Sequence, residues 1–228
     1  DQMIDIANEQ GKFDGSIVLV KPREGGSLES FHQQDCQYTV SLRGLVDGNP
    51  TVSNRKITCI TDAVHAYNEY EKYMGLAEID TLRFIVSNTT EAGIVFDDTD
   101  KFELNPPKTF PGKLTKFLYH RFETFKGDFS KGLVMLPVEL IDDNGIMLHK
   151  CVLQLIDLWG LGDEFKNWVE NACVFTSTLV DRIITGYPKA TEEAEWEKLG
   201  YIDRIMVTGE PFALWVIESA KDISGELP

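Results

Sequence analysis

At 228 residues the chain is long enough to bury a sizeable core, as one large or two small domains. Its 22 Lys and Arg stand against 37 Asp and Glu, a formal charge of −15, so phosphate backbones and anionic lipid repel it and neither nucleic acid nor a membrane is an expected partner. Cys36, Cys59, Cys151 and Cys173, and the histidines at 32, 65, 120 and 149, are scattered without C-x-x-C or H-E-x-x-H spacing, which points to small buried thiols in a cytoplasmic protein and to no metal site.

The N-terminus, Asp1-Gln2-Met3-Ile4, has neither a basic n-region nor an apolar h-region, so no secretory signal is expected. Ile4–Glu9 reads as a short helix. Ser16–Val20 is a continuous run rich in β-branched residues, closed by Pro22 and Gly25-Gly26, and fits a strand buried on both faces. Gln37–Arg43 reads as a second strand and Gly44–Asn49 as a turn. Thr61-Asp62 is expected to open a helix whose buried face carries Val64, Tyr67, Tyr70, Met74 and Ala77. Leu82–Val86 is the next strand, Pro111 starts a helix with an aromatic stripe, and Gly132–Leu136 is a further strand stopped by Pro137. From Met147 onward the pattern is mostly helical through Trp196, with one last extended segment at Pro211–Glu218. No apolar run approaches the roughly 18 residues of a membrane helix.

Strands alternating with amphipathic helices predict an α/β fold with a mostly parallel sheet flanked by helices. Such sheets bind ligands at the carboxyl ends of their strands, here after Val20, Val86 and Leu136. No G-x-G-x-x-G occurs, so the expected sheet is incomplete, lacking its first strand and its glycine-rich phosphate loop.

Three segments carry candidate chemistry. Ser87-Asn88-Thr89-Thr90-Glu91-Ala92-Gly93 follows a strand, where hydroxyls and an amide can bond a ribose or a carboxamide and Glu91 can handle a proton. The same residues equally suit a polar turn that satisfies its own backbone. Glu139–Gly145 ends in Asn144-Gly145, either a turn dipeptide or a donor aimed at a substrate oxygen. Ser177–Ile184 sets Asp181 and Arg182 in an apolar frame, as a buried ion pair or as holders of substrate polar groups. Two lysines join these: Lys21 at a strand end, where a cation tolerates a ribose 2′-phosphate, and Lys113 in a helix first turn, where a cation opposes the helix dipole.

In this order the three segments resemble the long-chain mannitol dehydrogenase family of polyol-specific dehydrogenases. The resemblance runs from about Asp1 to about Asp203 and includes Phe110-Pro111 with Lys113-Leu114-Thr115, and Val180-Asp181-Arg182-Ile183 continued by Thr185-Gly186-Tyr187-Pro188. That last continuation favours the sugar-acid branch of the family over the mannitol branch. The resemblance implies a Rossmann-like cofactor-binding domain over 1–228, with a helical part from about 147. It also implies metal-free hydride transfer between NAD, with NADP left open, and a small sugar acid. The implied catalytic residues are Glu91, Asn144 and Asp181. Ser87, Asn88 and Thr89 fall to the cofactor and Arg182 to the substrate; Lys21 and Lys113, singled out by position and not by the resemblance, are assigned to the cofactor and the substrate, with a solvated lysine as the alternative for each. The family's K-x-x-x-x-N-x-x-H motif is not found here, so the chain is expected to be a fragment without the catalytic helical domain. The alternatives are a fragment from a sister branch acting on mannitol or another polyol, or a non-catalytic α/β module that binds a nucleotide or sugar.

Overall fold

The computed structural model describes residues 1–227. In chain order the elements are α1 (Gln2–Glu9), β1 (Ile17–Lys21), α2 (Glu29–Gln33), β2 (Tyr38–Val46), β3 (Asn49–Ile57), β4 (Ile60–His65), α3 (Tyr70–Gly75), β5 (Phe84–Ser87), α4 (Phe110–Thr124) and β6 (Val134–Pro137). There follow α5 (Asn144–Trp159), α6 (Asp163–Ala172), β7 (Val174–Phe175), β8 (Ser177–Asp181), β9 (Ile184–Gly186), α7 (Glu192–Leu199), β10 (Val207–Gly209) and β11 (Leu214–Glu218). The chain has two compact units, one built chiefly from 1–65 and 181–214, the other from 66–180 and 215–224.

In the first unit β1 and β4 pair in parallel, bringing Lys21 opposite His65. A second sheet runs β3-β2-β10-β9, with β2 and β10 parallel and the other two pairings antiparallel. Leu28, Cys36, Val40, Ile57, Cys59, Ile60 and Ala63 form the apolar core of this unit. The turn expected at 44–49 narrows to Asp47-Gly48, both with positive φ (50° and 77°), while strand pairing continues through Val46 and Asn49.

The helix expected from Thr61 begins only at Tyr70. Ile60–His65 is a strand, with Ala63 and Val64 fully buried beside β1. The N-cap signature of Thr61-Asp62 lost to tertiary pairing, because a short apolar run cannot be typed by periodicity alone. The run at β1, expected to be buried on both faces, is half-buried throughout and, among the described residues, pairs only with β4.

In the second unit β5, β6 and β7 form a parallel sheet in that order, with Ser87 opposite Pro137. Apolar residues of β6, α4, α5 and α6 fill the core here, including Met135, Leu118, Leu155, Phe165 and Trp168, with Leu133 just before β6. Arg121 is buried among them, its guanidinium donating to the carbonyls of Ala77, Ile79, Leu82 and Lys131. The helical stretch expected from Met147 begins at Asn144 and gives way to strands after Ala172, where Val174-Phe175 and Ser177–Asp181 are richer in β-branched and aromatic residues. The fold is the expected α/β arrangement with mostly parallel pairing. All four cysteines are buried free thiols. Among the described residues no helix is long and apolar enough to cross a membrane.

Candidate functional site

Parallel pairing of β5 and β6 sends the chain out of both strands at the same end of the sheet. Two residues beyond β6 lies Glu139, a carboxylate that is only 3% exposed. Its two oxygens accept from three groups at the end of β5 and in the loop after it: Ser87 Oγ (3.1 Å), Thr89 N (2.9 Å) and Thr89 Oγ1 (2.9 Å). The backbone adds Val138 N to Ser87 O at 2.8 Å. A buried carboxylate needs such donors, and in return it fixes the course of the Ser87–Thr89 segment. Asn88, Thr90 and Glu91 on the same segment are exposed.

Asn144 is fully buried at the start of α5. Its Nδ2 donates to the carbonyls of Pro137 (3.0 Å), Glu139 (3.0 Å) and Thr178 (2.9 Å), and its Oδ1 accepts from Thr178 N (2.9 Å). The expectation that this amide aims a donor at a substrate oxygen is therefore corrected. The side chain is engaged on every edge by backbone, and it clamps the loop after β6 to β8. Gly145 completes the clamp, since a Cβ there would sit 1.9 Å from Thr176 O. The turn reading of Asn144-Gly145 fails too, because the dipeptide opens a helix.

Lys113, expected on the substrate, is also turned inward. It is 4% exposed, its Nζ donates to Lys108 O at 2.6 Å, and it lies over the Tyr67 ring 5.1 Å from the centroid. The dipole objection to a first-turn cation is met by Asp100. This buried carboxylate accepts from Thr109 N and Oγ1 and from Lys108 N at the start of α4. Burial pushes the Lys113 amine down to about 8, with Asp100 opposing the shift. Because the folded value lies below the ordinary 10.5, folding expels a proton between these two pH values, so stability rises with pH across that window. The gain amounts to roughly 3 kcal/mol above the window and is lost as pH falls to 8. Denaturant melts of Lys113→Met against the wild type are expected to lack this rise; parallel pH profiles would count against it.

In the first unit Asp181 is exposed, so the buried ion-pair reading of Asp181 and Arg182 is corrected as well. The Arg182 guanidinium donates instead to Gln2 Oε1 (2.6 Å), Phe212 O (2.9 Å) and Pro211 O (3.3 Å). Lys21 is the last residue of β1 and is half-buried, with its amine against Gly26. Among the described residues no group of three or more His, Cys, Asp or Glu side chains is gathered as a metal ion would need.

Sequence reasoning named the loop after β5 and the segment that opens at Glu139, but gave Glu139, the residue that holds the loop, no role of its own. The available signal was an acid two positions past an apolar strand, matched by hydroxyl residues at the end of another strand. It could be used only once β5 and β6 were known to be neighbours.

The sequence matches the mannitol dehydrogenase Rossmann domain over residues 3–228. Altronate oxidoreductase of Phocaeicola vulgatus is 46% identical over the whole chain, which covers 48% of that protein. The Bacillus subtilis protein of the same name is 44% identical, with the same shares covered. The chain thus spans about half the length of the curated relatives it matches. Among solved structures, the Pseudomonas fluorescens mannitol 2-dehydrogenase complex with NAD and D-mannitol superimposes with a TM-score of 0.77 at 20% identity, over 95% of this chain and 46% of that one. Substrate-free D-sorbitol dehydrogenase gives 0.70 at 22% identity, over 91% and 45%. Both likenesses concern the fold. With the family match extending over nearly every residue, the chain belongs to the mannitol dehydrogenase Rossmann domain family.

Proposed function

We propose that the protein containing this chain is an NAD-dependent oxidoreductase that reduces D-tagaturonate to D-altronate. The observation that carries the reading is the 46% identity, over all 228 residues, to a protein named altronate oxidoreductase. The strand ends support it. Hydroxyl and amide groups at Ser87, Asn88 and Thr89 suit a carboxamide and a ribose, and the Glu139 clamp holds two of the three in place. When bound, the nicotinamide ring supplies the hydride. Exposed Glu91 stands ready to pass a proton to or from solvent. The reading places the enzyme in the cytoplasm, with a small sugar acid as its partner. The test is NADH consumption by the full-length protein with D-tagaturonate, run beside D-fructose. Turnover with the keto-uronate is expected; turnover confined to fructose would move the protein to the polyol branch.

A further inference from the structure

We propose that a cleft on the β2-β10-β9 face of the first unit binds a neutral, polyhydroxylated small molecule about the size of one monosaccharide. The proposal needs no coenzyme and does not rest on the oxidoreductase reading.

Thr39, Ser41 and Arg43 alternate along β2 and so share one face of the sheet. Arg43 lies back along that face, its Nε donating to Ser41 Oγ at 3.1 Å. The connection 187–206, between β9 and β10, covers one end. There Asp203 accepts from Thr39 N at 2.6 Å, and the Tyr201 hydroxyl lies 2.8 Å from Thr39 Oγ1. The cover ends at Glu195 of α7, which accepts from Arg43 Nη2 at 2.7 Å. Beyond it lies a cleft of about 280 Å³, lined by Arg43, Ile183, Thr185, Thr208, Gly209 and Glu210.

The hydrogen bonds around the cleft leave groups of both kinds unused. Thr208 Oγ1 donates to Gly186 O at 2.9 Å. The Thr185 proton therefore goes to Thr208, on Oγ1 at 2.6 Å or on the carbonyl at 3.2 Å. A hydroxyl has one proton, so Thr185 Oγ1 remains as an acceptor. Glu210 accepts from Ile183 N through Oε1 at 2.6 Å. Among the described residues its Oε2, and the Nη1 of Arg43, bond no protein group. The guanidinium is already held by two bonds, so Nη1 is a donor fixed in place.

One donor and two acceptors fit alcohols, which donate and accept from the same oxygen. Ile183, 63% exposed, gives the C–H face of such a molecule an apolar wall. The volume falls just below the roughly 300–1,000 Å³ of drug-sized sites, which sets the ligand near a single sugar. Charge decides against an acid. Glu195 already takes the guanidinium, so the charge left facing the cleft is that of Glu210. Exposed Lys198 also reaches Glu195, at 3.2 Å, but is not part of the lining.

The test is hydrogen exchange of segments 183–186 and 207–210 in the full-length protein, titrated with matched probes. D-Glucitol and D-gluconate differ in one CH2OH against a carboxylate; methyl α-D-glucopyranoside and its uronate give the same contrast in a ring. At least one neutral probe is expected to protect both segments with Kd on the order of 1 mM, and its acid to bind about tenfold more weakly. Thr185→Phe, at an exposed strand position, should fill the cleft and abolish the protection. Glu210→Gln keeps an oxygen for Ile183 N and removes the charge, so it should narrow the preference to within about threefold. No protection by either neutral probe would overturn the proposal. So would equal protection by the acids, protection that survives Thr185→Phe, or an unchanged preference in Glu210→Gln. Any of these results leaves the dehydrogenase reading standing, because that reading is tested by turnover.

Discussion

Replacing Asn144 with leucine is expected to destabilise the protein by about 3–5 kcal/mol, read as a shift in the urea midpoint at constant slope. Leucine matches asparagine in heavy-atom count and branching but is bulkier and offers no polar atom. The substitution orphans the carbonyls of Pro137, Glu139 and Thr178 and the N–H of Thr178, all around a site with no exposed surface. Each stranded group costs about 1–3 kcal/mol, and three carbonyls sharing two N–H bonds places the sum below the simple total. Asn144→Asp should fare no better. It keeps the acceptor for Thr178 N but turns a negative charge toward three carbonyl oxygens. A loss under about 1 kcal/mol for leucine would show that the clamp is dispensable and would reopen a ligand-facing role for this amide.

Glu139→Ala should cost about 2–4 kcal/mol, because Ser87 Oγ, Thr89 N and Thr89 Oγ1 lose their common acceptor. Its second effect separates positioning from mere support. In the full-length protein, KM for NADH is expected to rise about tenfold, since the freed loop must be ordered again by the coenzyme. Glu139→Gln retains one oxygen for the two Thr89 donors, and the Ser87 hydroxyl can rotate to accept from the new amide. It should recover most of the stability and most of the affinity. Equal KM in the alanine variant and the wild type would leave Glu139 a structural residue only.

These two side chains also show how far the sequence could be read. Both lie in Glu139–Gly145, which was singled out as chemistry-bearing, yet the roles read for that segment were not the ones found. Asparagine followed by glycine is sound turn chemistry in isolation, but that pattern says nothing of Thr178, 34 residues away, whose backbone takes the amide instead. Lys113 was noticed for opposing a helix dipole. Its compensation comes from Asp100, on a loop the sequence left unassigned. Thr61-Asp62 has the makings of an N-cap, and only the neighbouring β1 made Ile60–His65 a strand.

By itself the sequence determined the class of the fold, most of its elements and its family. Each of these follows from patterns held within short windows: β-branched runs, aromatic stripes at helical spacing, and contiguous motifs such as Ser177–Ile184. The loop that carries Asn88 and Glu91 was legible for the same reason, since it follows a strand that could be found locally. Only the tertiary structure decided which polar side chains face inward. Glu139, Asn144, Lys113 and Arg121 each answer to partners supplied by other elements, and burial makes those partners obligatory. A composition or a spacing carries the demand for such a partner. Which group meets it depends on which strand ends the fold brings together.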